Sequence, residues 1–536
     1  VRTLTLLLCL LAAFTLHRCN TATAATSVTP GAAPLNIIYI MSDDHTTQAV
    51  GAYGSRLAPL NPTPNLDALA REGTLFTSVF CTNSICTPSR GNIMTGQYSQ
   101  TNGIRILDDT LPPARQYLPL EMKKLGYQTA MIGKWHLKAE PAAYDYYQVL
   151  ESQGRYFDPE FRSSTAGQWP DNMVSYEGHS SDVITDITLD WLKSKRDKQQ
   201  PFFLMHHYKA PHDDFEFAPR YADYLEDTYI PEPANLYPRN EPGFGSEATR
   251  GSHDSLIHEI GTSVSDRHTY RNYVDQYGIA IEPRDAATSA GYQQYLKNYL
   301  RCVKGVDDNL KRLFDYLKAE GLWENTLIVY TGDQGMMLGE HDYIDKRWMY
   351  EESMRMPFIV RHPGGGAGAT SDLLINNTDF APTLIEWAGG TTPNYMQGKS
   401  FARYIDGSEP ADWRTATYYR YWMHLTHHDV PAHFGVRTKK YKLIFYYSQP
   451  YRQEEVGRQS MSWIDESYKI RPTPVAWEFY DLSKDPYESF NRYGDPAYTE
   501  TIRELKVQLK QLRTDLNETD QDAPDLQRLI DANWDA

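Results

Sequence analysis

The chain has 536 residues, enough for one large α/β domain and a smaller companion. Hydrophobic residues make up 41% and charged residues 23%, the balance of an ordinary globular protein. A net charge of −16, with no polybasic run, argues against nucleic acid or an anionic membrane as partner. An acidic chain that handles an anion must concentrate its positive charge in one place.

Residues 1–25 read as an export signal. Arg2 is the basic start, residues 4–14 are mostly apolar, and Thr21-Ala22-Thr23-Ala24-Ala25 offers small residues for cleavage. The apolar run is too short to span a bilayer, so no transmembrane anchor is expected in the mature chain. Cys19 follows the bulky, basic Arg18, which argues against lipidation. The expected location is periplasmic or extracellular.

Leu35 to Met41 is an apolar, β-branched run predicted as a buried strand, and it ends in Asp43-Asp44. Residues 86–96 read Cys-Thr-Pro-Ser-Arg-Gly-Asn-Ile-Met-Thr-Gly and predict a helix from Pro88 to about Met94. Its free N–H groups suit an anion. Gly126 to Ile132 predicts a strand before Gly133-Lys134-Trp135-His136. A helix is predicted from Asp182 to Lys193. A strand at Phe202 to Met205 leads to His206-His207 and then to Lys209-Ala210-Pro211-His212. Residues 226–292 are polar and aperiodic, and are read as a loop-rich insertion over the site. A helix follows from about Gln293 to Lys318, then a strand, Leu327 to Thr331, that ends in Gly332-Asp333-Gln334. Pro363 to Gly368 is a surface turn.

A boundary is expected near residues 407–413, which divides a catalytic domain (34–408) from a C-terminal subdomain (409–536). Phe434 to Tyr446 predicts paired strands and Trp477 to Leu482 another. Ile502, Leu505, Leu509, Leu512 and Leu516 mark an amphipathic closing helix. Strands alternating with helices predict an α/β fold built on a mainly parallel sheet, with ligands at the carboxyl ends of its strands. Three strand ends deliver carboxylates, a carboxamide and histidines to that edge. Asp43, Asp44 and Asp333 together favour a hard divalent cation. Of the five cysteines, Cys81 and Cys302 could pair in an oxidising compartment or stand as two buried thiols. No Cys–His spacing suggests zinc.

The Cys86-Thr-Pro-Ser-Arg core followed by Thr95-Gly96 resembles the maturation signature of the type I, formylglycine-dependent sulfatases. The likeness runs from about residue 35 to about residue 515. Two stretches sharpen it: Asp333 to Ser353, and His433 to Ile444 with Trp477 to Leu482. They resemble bacterial polysaccharide and glycosaminoglycan sulfatases, including the N-acetylglucosamine-6-sulfatase-like group. The resemblance implies an alkaline-phosphatase-like fold, with a large mixed sheet flanked by helices and a smaller C-terminal α+β subdomain.

It also implies that a formylglycine-generating maturation enzyme oxidises Cys86. A thiolate attacking a sulfate ester would end as a stable S-sulfonate. A hydrated aldehyde has two hydroxyls: one attacks sulfur, and loss of the proton from the other re-forms the carbonyl and expels sulfate. The implied metal is calcium, held by Asp43, Asp44, Asp333, Gln334 and the modified Cys86. Gln334 stands where many members carry Asn or His, and its carboxamide oxygen is still a sound calcium ligand. By the same likeness Lys134 and His136 reach the sulfate and the formylglycine. His212 is the expected proton donor to the leaving oxygen, with Lys346 beside it. Arg90 supports the metal and the formylglycine.

Sugar recognition is expected in the insertion and the C-terminal region. The segment from Tyr418 to His433 carries His424, His427, His428, Asp429 and His433 beside Tyr421 and Trp422, and His427, His428 and Asp429 are the candidate substrate ligands. The expected substrate is a sulfated polysaccharide or oligosaccharide. Two alternatives remain: a phosphodiester or phosphonate monoester hydrolase of the same superfold, and an inactive relative that binds sulfated glycan.

Overall fold

A computed structural model describes residues 34–237, 239–245, 278–280, 283–426, 430–451 and 472–536. The export-signal reading of residues 1–25 falls outside the described residues. Among those described, ten strands form the main sheet: β1 (Asn36–Ser42), β2 (Thr74–Phe76), β3 (Gln128–Gly133), β4 (Tyr146–Leu150), β5 (Glu160–Ser163), β6 (Met173–Ser175), β7 (Phe202–Tyr208), β8 (Thr326–Gly332), β9 (Phe358–Arg361) and β10 (Ala369–Ser371). Their spatial order is β10-β2-β9-β8-β1-β7-β3-β4-β5-β6.

The five middle strands, β8-β1-β7-β3-β4, run parallel. β1, β7 and β8 are buried along their whole length, which explains their unbroken apolar runs. Register then fixes where the chemistry goes. Ser42 lies opposite both Gly332 and Tyr208, and Gly133 lies opposite His207. The residues after these strands, Asp43, Asp333, Lys134 and Lys209, therefore leave at one edge.

Successive residues of β1 feed opposite core layers. Ile37, Tyr39 and Met41 pack with Ile93 and Met94 of helix α1 (Cys86–Thr95). Ile38 and Ile40 pack with Val183, Ile184 and Ile187 of α2 (Ser180–Asp190) and with Tyr292 to Leu317 of α3 (Arg284–Ala319). α1 stops at Gly96, whose left-handed φ of 64° lets its N–H reach Asn92 O at 2.9 Å. α3 begins at Arg284, not near Gln293, so the last part of the expected 226–292 insertion is helix. Its opening turns carry small and polar residues rather than an apolar period, which hid them from a hydrophobic-pattern reading. Cys81 and Cys302 are buried free thiols in the two opposite layers.

Past residue 410, four antiparallel strands form a second sheet in the order β11 (Ala416–Tyr421), β12 (His433–Thr438), β13 (Tyr441–Tyr446), β14 (Ala476–Asp481). α4 (Thr499–Asp515) lays Ile502, Leu505 and Leu509 into the same core layer as this sheet. A further helix, α5 (Pro524–Asn533), adds Leu526 and Ile530. Among the described residues no helix is long and apolar enough to cross a membrane.

Gly133 shows how closely the site edge is built. Its φ is +100°, and a Cβ there would come within 1.8 Å of the His207 carbonyl oxygen, which accepts from Lys134 N at 2.9 Å. Gly133→Ala should therefore cost about 2 kcal/mol or more and lower the thermal midpoint. An unchanged midpoint would show that β3 ends less tightly than described.

Candidate active site

α1 starts at Cys86, and all ten of its residues are buried. The Cys86 thiol donates to Asp43 Oδ1 at 3.3 Å. Burial pushes it up to about 12, with further lift from Asp333 and Asp44 against Lys346 and Arg90. The thiol is thus neutral at working pH, whereas a nucleophilic cysteine needs its thiolate. This site does not activate sulfur as such.

Around it stand three carboxylates. Oxygens of Asp43, Asp44 and Asp333, all fully buried, lie within 4.8 Å of one another. Each has a cation against it. Lys134 Nζ donates to Asp43 Oδ2. Lys346 Nζ donates to Asp44 Oδ2 at 2.5 Å. Arg90 grips Asp333 Oδ2 through Nε and Nη2 at 3.0 and 2.9 Å, and its Nη2 lies 3.6 Å from Asp43. Gln334 donates through Nε2 to Asp44, while its buried Oε1 has no hydrogen-bond partner. An orphaned carboxamide oxygen beside three carboxylates fits an oxygen-ligated, hard divalent cation.

Second contacts hold the ligands in place. Asp44 has φ 61°, and its shape is fixed by its N–H on Asp333 Oδ1 at 3.1 Å and by Tyr299 OH, which donates to its carbonyl at 2.7 Å. Arg90 Nη1 at 2.7 Å and His207 Nδ1 at 3.1 Å both donate to Lys134 O. Gln153 Oε1 accepts from Lys134 Nζ at 2.5 Å. Left-handed backbone at Asp44, His136, Asp345 and Arg347 clusters around the pocket, as strain does at functional sites.

Electrostatics sort the titratable groups. Burial works against the charge on Lys346, yet Asp44, with Asp345 behind it, holds it above its ordinary range. Burial, then Lys209 and Lys346, push Lys134 down despite Asp333. His136 is held well below its usual range by burial and then by Lys134, Lys138, Arg90 and Lys346. Its ring sits by Thr87, whose hydroxyl donates to His136 O at 3.0 Å. A neutral imidazole there can accept a proton.

His212 is likewise held neutral, by burial and then by Lys134, Lys346 and Lys209. Its Nδ1 contacts Asp213 O at 2.5 Å; a carbonyl only accepts, so that nitrogen carries the hydrogen. Nε2, 3.8 Å from Asp44 Oδ2, presents a lone pair. The expected proton donor is therefore loaded as an acceptor. It must gain a proton first, which the negative charge of an incoming sulfate favours.

The structure thus gathers Asp43, Asp44, Cys86, Arg90, Lys134, His136, His212, Asp333, Gln334 and Lys346 at one sheet edge. His427, His428 and Asp429 lie outside the described residues. Two other histidines of that segment are committed internally. His424 Nδ1 accepts from Ala432 N at 3.2 Å, and His433 is fully buried, stacked on Tyr419 at 5.6 Å. Sequence reasoning missed Gln153, Tyr299 and Lys209. The first two lie in a loop and mid-helix with no local signal. Lys209 sits in the same Lys-Ala-Pro-His string as His212 and was legible there.

Comparison with known proteins decides the family. The model named Sulfatase matches residues 35–390, and that of the N-sulphoglucosamine sulphohydrolase C-terminal region matches 339–460. The chain belongs to the sulfatase family. An N-acetylglucosamine-6-O-sulfatase of Bacteroides thetaiotaomicron is 37% identical over 524 residues, covering 91% of this chain and 88% of the relative. A solved structure, BT4656 in complex with its substrate D-glucosamine-2-N,6-O-disulfate, is 35% identical with a TM-score of 0.77, covering 91% of this chain and all of that one. A phosphonate monoester hydrolase of Agrobacterium radiobacter, at 20% identity and TM-score 0.65 over 90% of this chain and 96% of its own, shares the alkaline-phosphatase-like fold. This sulfatase hydrolyses sulfuric esters.

Tyr299 offers a test of how the carboxylates are positioned. Tyr299→Phe removes the bond to Asp44 O without touching a ligand atom. Divalent-cation affinity, measured by titration, should fall about 10-fold. Unchanged affinity would mean that Asp44 is held by its other contacts alone.

Proposed function

We propose that this sulfatase removes the 6-O-sulfate of a glucosamine unit in a sulfated glycan, using formylglycine made from Cys86 and a calcium ion. The observation that carries the chemistry is the ring of Arg90, Lys134 and Lys346 on three buried carboxylates around a thiol too basic to react. The substrate class is supported by the 37%-identical relative that spans nearly the whole chain. Export enters the proposal on the leader-like composition of residues 1–25 alone.

Calcium, held by Asp43, Asp44, Asp333 and Gln334, would supply positive charge at the pocket floor, and the hydrated formylglycine would supply the attacking hydroxyl. The remaining work falls to the chain's own residues. Lys134 and Lys346 bind terminal sulfate oxygens and stabilise the charge that builds on them. Arg90 fixes Asp333 and the Lys134 carbonyl, so two cationic groups move as one unit. His136, neutral and beside Thr87, takes up a proton at its ring nitrogen. His212, whose Nε2 takes a proton from solvent once the bound anion favours its charged form, gives that proton to the leaving alkoxide, which departs as the alcohol.

Three results are expected from protein made with a maturation system. The Cys86 peptide should lose about 18 Da on conversion of –CH2–SH to –CHO. Sulfate should be released from glucosamine 6-O-sulfate in preference to the 3-O-sulfate, and faster than an aryl phosphodiester is cleaved. Cys86→Ala should lower kcat/KM by more than about 10³-fold. Full activity in Cys86→Ala would contradict the covalent route, and preference for the phosphodiester would favour the hydrolase alternative.

A further inference from the structure

Among the described residues, Lys209 is a cation of this cluster that no carboxylate pairs with. It leaves the end of β7 three residues before His212 and is only 5% exposed. Its ammonium rests over the Tyr156 ring at 4.8 Å and donates at 3.5 Å to the Asp213 carbonyl, the oxygen that also anchors His212 Nδ1. Tyr156 OH in turn donates to His212 O, which ties the ring to the same loop. Among the described residues no carboxylate pairs with this ammonium, whereas Arg90, Lys134 and Lys346 each sit against one.

The charge count at the pocket makes this informative. Asp43, Asp44 and Asp333 already have Lys134, Lys346 and Arg90 against them, and a divalent cation held there would add further positive charge. Lys209 is the surplus. Burial pushes it down, and Asp214, Asp213 and Asp44 do not fully offset this. It shares the Asp213 carbonyl with His212, whose Nε2 lies 3.8 Å from Asp44 Oδ2, so the charge belongs to the same pocket. A buried ammonium with an aromatic face and one long carbonyl contact is poorly compensated. Such a charge is kept where a ligand brings the opposite one.

We propose that Lys209 is a substrate-contacting cation of this pocket, and that its missing counter-ion is the sulfate group held for hydrolysis. This rests on reading the Cys86 pocket as the sulfate site. Because Lys209 shares the Asp213 carbonyl with His212, it delivers its charge beside the group that serves the leaving oxygen.

The test uses the matured, calcium-loaded enzyme and its Lys209→Met and Lys209→Arg variants, with Lys209→Gln as a second neutral variant should Lys209→Met not fold. Thermal midpoints are compared in sodium sulfate and in sodium chloride of equal ionic strength. Kinetics follow on an aryl sulfate and on glucosamine 6-O-sulfate. Wild type should gain stability from sulfate. The neutral variant should melt at or above wild type in chloride, because an unpaired buried charge is gone. Its sulfate affinity should fall about 10-fold, with KM raised on both substrates, and Lys209→Arg should recover part of the loss. A lower midpoint in chloride with wild-type sulfate affinity would make Lys209 a structural prop and overturn the proposal. No stabilisation of wild type by sulfate would overturn the proposal and the pocket reading together.

Discussion

Three carboxylates, fully buried at adjoining strand ends, are the constraint from which the rest of this site follows. Carboxylates buried this deeply call for positive charge beside them, and burial pushes Asp44 up even with Lys346 against it. The chain answers with Arg90, Lys134 and Lys346, drawn from three separate segments. Each of these cations is in turn pinned to backbone, glutamine or carboxylate. The same arrangement leaves Gln334 Oε1 unused and Cys86 protonated. A pocket with that donor set suits a hard cation and an anionic substrate, and it is ill suited to thiolate chemistry.

The fold delivers these groups through strand register. Parallel pairing of β8, β1, β7 and β3 places four strand ends in a row, so that residues far apart in sequence emerge side by side. Helix α1 then points its N-terminus, with Cys86 in the first turn, at the same edge. Helix α3 reaches across to fasten Asp44 through Tyr299. Left-handed backbone at Asp44 and His136 completes the turn that each side chain needs, and the tightly packed edge at Gly133 keeps it there.

Much of this was legible in the sequence because four of the five parallel strands, β1, β3, β7 and β8, announce themselves twice: as an apolar run, and as a polar group at the carboxyl end. That double signal located Asp43, Asp44, Asp333, Lys134 and His212. The Cys86 core located the helix start, and the alternation of Phe434 to Tyr446 located the hairpin of the second sheet. Legibility stopped where a residue acts through tertiary contact alone. Gln153 and Tyr299 carry no local pattern, the opening of α3 is too polar to show a helical period, and α5 lay beyond the recognised repeat. The protonation state of His212 was also out of reach of sequence, because it depends on three lysines that only the fold brings near. His424 and His433 belong to the same histidine-rich segment as the candidate sugar ligands, and packing commits both to the protein interior.

The most direct test of the carboxylate-centred reading is the metal content of purified, active protein. Elemental analysis should find one calcium per chain, and removing it with a chelator should remove activity, which returns when calcium is added back. Stoichiometric zinc, with neither calcium nor magnesium present, would contradict the assignment of Asp43, Asp44, Asp333 and Gln334 as a site for a hard, oxygen-bound cation.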